Sequence, residues 1–231
     1  MGELHGHPLL DSTLGNIACS IPGATRVFHE FHLDFCCGGQ KSLRQAAQER
    51  GIDADHVQAR LLSLSGEAQD TEDWRTVADE RLIEHILQRY HDVHRQQLPE
   101  LIRLAARVEQ VHGGREHCPV GLTDLLIDMQ QELESHMQKE EQILFPMILR
   151  GGGTMAGGPI SVMRYEHDQH GEALERVVEL TDDMQPPANA CNTWRALYRG
   201  LDELRCDLMQ HIHLENNLLF PRALGKEVQH G

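Results

Sequence analysis

Two eleven-residue stretches of this chain follow one pattern. Residues 136–146 read HMQKEEQILFP and residues 211–221 read HIHLENNLLFP, so both fit H-x-x-x-E-x-x-x-L-F-P at an offset of 75 positions. Upstream, residues 91–94 read HDVH and residues 167–170 read HDQH, offset by 76. A repeat constrains the fold before any local propensity does. The two motifs recur in the same order, so this part of the chain reads as two copies of one helical hairpin, related by an approximate two-fold axis.

The apolar periodicity agrees. Four long helical patterns cover roughly 76–112, 120–149, 159–183 and 189–224. On the first, Ile83, Leu87, His91, His94, Leu98, Leu101 and Ala105 fall on one stripe. Gly- and Pro-rich segments (HGGREHCPVG, GGGTMAGGP and DDMQPPANA) separate the four. Amphipathic helices with short connections predict an up-down-up-down four-helix bundle. Runs that alternate with period two are absent, so the predicted class is all-α.

Helix spacing gives the repeat a chemical meaning. Residues i and i+4 lie about 40° apart around a helix and about 6 Å along it. His136 with Glu140, and His211 with Glu215, can therefore each grip one ion from one helix face. A single HxxxE is usually a surface pair; two in matched contexts, with two HDxH motifs, point to a metal site. Buried His and Glu are costly unless they are paired or bound to metal. Each HDxH should add one histidine, His91 or His94 and His167 or His170, and periodicity does not choose between them. Four histidines and two bridging glutamates fill about eight of the roughly twelve positions of two octahedral ions. A bridging oxygen takes two more and leaves about one open position per metal. Imidazole with carboxylate and open positions favours non-haem iron, or manganese. Two separate His-His-Glu zinc sites are the alternative.

Charge and cysteine usage narrow the setting. Lys and Arg total 21 against 36 Asp and Glu, a net charge of -15. That balance argues against nucleic acid as a partner, which requires clustered positive charge. No stretch is apolar enough to span a bilayer, and MGELHGHPLLD carries no secretory pattern. The six cysteines form no CxxC pair, which fits a reducing compartment and a cytoplasmic location.

The first segment, residues 1–65, reads as a small helical domain. TLGNIACSIPGATRVFHEF predicts one or two short helices broken at Pro22. KSLRQAAQERG predicts another, ended by Gly51, and DADHVQARLLSL a further one with an acidic cap. DFCCGG lies between them as a loop. Residues 66–75 read as a linker and residues 76–231 as the bundle, with the first and last few residues frayed.

Taken together, LDFCCGG, RYHDVHRQQLPEL, ELESHMQKEEQILFPMI, GPISVMRYEHD and HIHLENNLLFPRAL resemble the iron–sulfur cluster repair di-iron proteins (RIC type) over nearly the whole chain. That resemblance implies a small N-terminal domain followed by a hemerythrin-like bundle. It implies two iron ions per chain, non-haem and oxygen-bridged. It selects His91, His136, His167 and His211 as terminal ligands and Glu140 and Glu215 as bridging carboxylates. His94 and His170 then become supporting or packing residues, and His112 falls on a family histidine near the site. The implied role is repair of clusters damaged by oxidative or nitrosative stress, by iron donation. The expected partners are damaged iron–sulfur proteins, with a homodimer left open and no nucleic acid or membrane. An NO- or peroxide-reducing enzyme, or a carrier or sensor of a diatomic gas, is the alternative. The adjacent Cys36 and Cys37 read as a thiol pair that docks iron, a cluster or NO, with Gly38 and Gly39 permitting close approach.

Overall fold

The structure is a computed structural model that describes residues 9–64 and 73–225. Most of the expected linker, and both chain ends expected to fray, lie outside the described residues. Among the described residues there is no β-strand, only a lone antiparallel bridge between Thr13 and Ser42. The all-α, helical-bundle class predicted from periodicity is the observed one. The chain forms two compact units, one of residues 1–82 with 209–231 and one of residues 83–208.

In the first unit, four short helices follow the sequence signals closely. They are α1 (Leu14–Ser20), α2 (Ala24–Glu30), α3 (Leu43–Arg50) and α4 (Ala54–Ser63). Thr13 caps α1 by accepting from the Asn16 amide, and Pro22 falls in the break before α2. Ser42 and Gln45 form a reciprocal capping box at the start of α3. Gly51 ends that helix at φ 69°, where a Cβ would be strained. Asp53 caps α4. Their inward faces bury Leu14, Ile17, Val27, Phe28, Leu43, Val57 and Leu61 together with Phe35 from the loop between α2 and α3, and Met209 packs against this core.

The bundle helices are α5 (Asp79–Ile86), α6 (Asp92–His112), α7 (Leu122–Lys139), α8 (Phe145–Leu149), α9 (Gly157–Leu180), α10 (Asn192–Leu214) and α11 (Phe220–Ala223). In the second unit α6 packs on α7 and α7 on α9. The Gln97 side chain on α6 donates to the Gly200 carbonyl of α10 at 3.4 Å. The apolar stripes meet inside, with Leu98, Leu101, Leu126, Met129, Ile160, Val177, Trp194 and Leu201 all buried. No helix is long and apolar enough to cross a membrane.

Three π turns interrupt these helices: π1 (Leu87–His91), π2 (Glu140–Leu144) and π3 (Glu215–Leu219). Each closes with an amide bonded five residues back: Asp92 to Leu87, Phe145 to Glu140 and Phe220 to Glu215. The LFP of each repeat supplies a reason for two of them. Pro146 and Pro221 open the following α-helices, lack an N–H, and crowd the carbonyl four residues back. Widening the turn by one residue relieves that crowding. No proline opens α6 after π1, since Pro99 lies about two turns further in, and nothing in the structure explains the widening of π1.

Candidate metal centre

Every π turn carries a predicted ligand at one end: His91 closes π1, Glu140 opens π2 and Glu215 opens π3. π turns inside α-helices frequently mark functional positions.

In the second unit, His91, His136, Glu140 and His167 are all at most 1% exposed. His91 Nε2 lies 3.4 Å from Glu140 Oε2, and His136 Nε2 lies 3.3 Å from Glu140 Oε1. His167 Nε2 stands 3.1 Å from His136 Nε2. The donor atoms of His136, Glu140 and His167 lie within 4.8 Å of one another. In the first unit, His211 Nε2 lies 3.1 Å from Glu215 Oε1, both side chains buried.

The far nitrogens of two rings are held by outer carboxylates. His91 Nδ1 is 2.8 Å from Glu141 Oε1, and His136 Nδ1 is 2.9 Å from Glu166 Oε2. Those carboxylates are themselves anchored: Arg95 Nη1 lies 2.9 Å from Glu141 Oε1, and Lys139 bonds Glu166. Arg95 also donates to Glu134 at 2.9 Å. The hydrogen bond from His136 holds the Glu166 carboxyl down at about 2, against the opposing effect of burial and with help from Lys139. Burial raises Glu141, but Arg95 and His91 outweigh it and its carboxyl lies below the usual range. Ionised outer carboxylates fix the Nδ1–H tautomer, so Nε2 turns its lone pair inward.

That tautomer tests whether a cation fits. Inward lone pairs of His91 and His136 both face the oxygens of a fully buried Glu140, at 3.4 and 3.3 Å. Lone pairs opposed at such distances repel, unless a cation lies between them. Protonating the rings offers an alternative cation, but packs several imidazolium groups together out of water, which is costly. Buried imidazole and carboxylate donors are the set that holds iron or manganese in helical bundles.

Of each HDxH pair, His91 and His167 bring Nε2 to this cluster. His94 is buried with its ring 6.3 Å from that of Tyr90, and His170 packs edge-on against His136 at 5.1 Å. His112 does not join the cluster. It ends α6, about 30 Å along the axis from His91 by helical rise, with Nε2 3.3 Å from Cys191 Sγ. Cys36 and Cys37 belong to the first unit, on the loop between α2 and α3. There Asn216 donates to the Cys36 carbonyl and Asn217 to the Phe35 carbonyl, each at 3.1 Å.

The sequence reading did not find Glu141 and Glu166. Each is the chain neighbour of a predicted ligand, beside Glu140 and His167 respectively. Neighbours on a helix point about 100° apart, so periodicity placed both off the inward face. A recess of about 280 Å³ reaches Glu166 from the surface, lined also by Glu132, Ser135, Lys139 and His170.

A helical bundle with inward histidines and buried glutamates, two of them in HxxxE repeats, defines a hemerythrin-like cation-binding protein. Residues 82–223 match the family model described as Hemerythrin HHE cation binding domain. Residues 10–65 match that described as Domain of Unknown function (DUF542). A Dickeya chrysanthemi protein named Iron-sulfur cluster repair protein YtfE is 54% identical over 217 residues, covering 94% of this chain and 98% of the relative. Proteins of the same name from Musicola paradisiaca and Yersinia pseudotuberculosis are 54% and 53% identical, with the same coverage. The chain therefore belongs to the YtfE family of iron–sulfur cluster repair proteins.

Proposed function

We propose that this protein repairs damaged iron–sulfur clusters with iron held by His91, His136, His167, His211, Glu140 and Glu215. The two HxxxE pairs serve one centre of two irons with an oxygen bridge, and Glu140 and Glu215 each span both metals. The carrying observation is the inward convergence of His91, His136 and His167 nitrogens around the buried Glu140. The repeat that relates His136–Glu140 to His211–Glu215, and the single family model across residues 82–223, support one shared centre. The domains implied are residues 1–65, a linker at 66–75 and the bundle at 76–231.

Bound iron supplies an exchangeable metal with room for a small ligand. The protein's own residues do the rest. Glu141 and Glu166 hold the Nδ1 protons of His91 and His136 and aim their Nε2 atoms. Arg95 and Lys139 keep those carboxylates ionised and in place. Burial of the ligand side chains keeps water from competing for the metal. A site of neutral imidazoles and few carboxylates holds iron without trapping it. The setting is the cytoplasm under oxidative or nitrosative stress, which the lack of any disulfide among the six cysteines supports. The partners are damaged iron–sulfur proteins.

The test loads the protein with isotopically labelled iron and mixes it with an iron–sulfur enzyme damaged by NO or peroxide. Label should appear in the restored cluster, and zinc-loaded protein or His136→Ala should fail to restore it. Restored activity without transfer of label would sink donation and favour NO removal.

A further inference from the structure

We propose that Asp34, Cys36 and Cys37 form a second metal site, separate in donor chemistry from the histidine–glutamate centre, that takes one thiophilic divalent ion. Their donor atoms lie within 4.8 Å of one another. The two sulfurs are 3.7 Å apart, and no disulfide joins them. Metal–sulfur bonds of about 2.3 Å at tetrahedral angles put two sulfurs about 3.8 Å apart. The pair is therefore already spaced as two corners of a tetrahedral site. Asp34 Oδ1 lies 3.2 Å from Cys36 Sγ and supplies a third corner. Asp34 is exposed and Cys37 half-buried, so the fourth corner opens toward solvent.

The loop is built to hold that arrangement. One carboxylate gathers three successive backbone amides: Asp34 Oδ1 accepts from Cys36 at 3.1 Å and Cys37 at 2.9 Å, and Oδ2 accepts from Gly38 at 2.9 Å. Asn216 and Asn217 on π3 clamp the loop from the other side through the Cys36 and Phe35 carbonyls. A Cβ at Gly39 would come within 2.6 Å of the Phe35 carbonyl and 2.8 Å of Asn217 Oδ1, so only glycine lets the clamp close. The hydrogen bond to Cys37, together with burial and the nearby Asp34 carboxylate, raises the Cys36 pKa and holds that sulfur as a thiol until a cation arrives. Binding then displaces one proton from each thiol to solvent and leaves a dithiolate–carboxylate complex. Two thiolates also resemble the sulfur surroundings of iron in a cluster. The proposal goes beyond the function proposed above and does not depend on it.

Cobalt(II) is the probe, added to the full-length protein after its bundle metal has been quantified. One additional cobalt per chain should bind with sulfur-to-cobalt charge-transfer absorption. Cys36→Ser with Cys37→Ser should abolish that band with helix content intact, whereas Cys206→Ser should keep it. Asp34→Asn should weaken cobalt binding by at least about 10-fold, since losing even an outer partner that supports a metal ligand costs about 10–100-fold. Absence of the band in the native sequence, its survival in the double variant, or unchanged affinity in Asp34→Asn would each overturn the site. Failure of the bundle reading would show differently, as no metal held by the histidines while the thiolate band persists.

Discussion

At the scale of single residues, the account turns on which atoms face inward. His91 and His136 do so because Glu141 and Glu166 hold their outer nitrogens. Glu141→Gln keeps the shape but lets the carboxamide rotate and loses the charge. It should weaken metal retention about 10–100-fold, read by competition with a chelator, while helix content stays unchanged. Unaltered retention would mean that packing alone orients the ring. That each HxxxE pair would bring its histidine and glutamate together was legible in the sequence, because i and i+4 share a helix face. Which histidine of each HDxH reaches the cluster was not: all four are buried, so burial and periodicity look the same for both members of a pair. Only distance separates them. The outer carboxylates were hidden for the opposite reason, since they lie off the apolar stripe.

At the scale of elements, the three π turns are the departure from regular helix that concerns the site. The four bundle helices and their breaks could be read from apolar spacing and from Gly and Pro, to within a few residues. The π turns could not, because one extra residue per turn barely disturbs a stripe. The LFP endings carried the only hint, through a proline that a regular helix resists. Deleting Ile143, an exposed residue of π2, should return that turn to α-helix. Helix content should hold, because α-helical hydrogen bonding is restored. Metal content should fall, because Glu140 would no longer sit at the mouth of a widened turn. A deletion variant that keeps its full metal complement would remove the functional reading of π2.

At the scale of the whole molecule, the sequence revealed less. That residues 209–231 cluster with residues 1–82 has no periodic signature. Asn216 meets Cys36 across 180 positions of chain, and pairing at that separation leaves nothing local to read. The overall charge of -15 was legible, and it opposes folding more when buried carboxylates lack a cation. Metal binding should therefore stabilise the native chain. At about 100 times the dissociation constant the gain is about 2.7 kcal/mol. For a chain of this size that corresponds to a Tm roughly 5–10 °C lower after chelation. Equal melting with and without metal would show that the donor cluster is held by packing alone.

The central claim is that six side chains hold two irons and that each glutamate spans both. Its most direct test is iron counted per chain in protein purified without oxygen, for the native sequence and for Glu140→Ala and Glu215→Ala. The account predicts two irons in the native protein and loss of both in each variant. Stoichiometric zinc in the native protein, or one iron retained undisturbed in either variant, would contradict it.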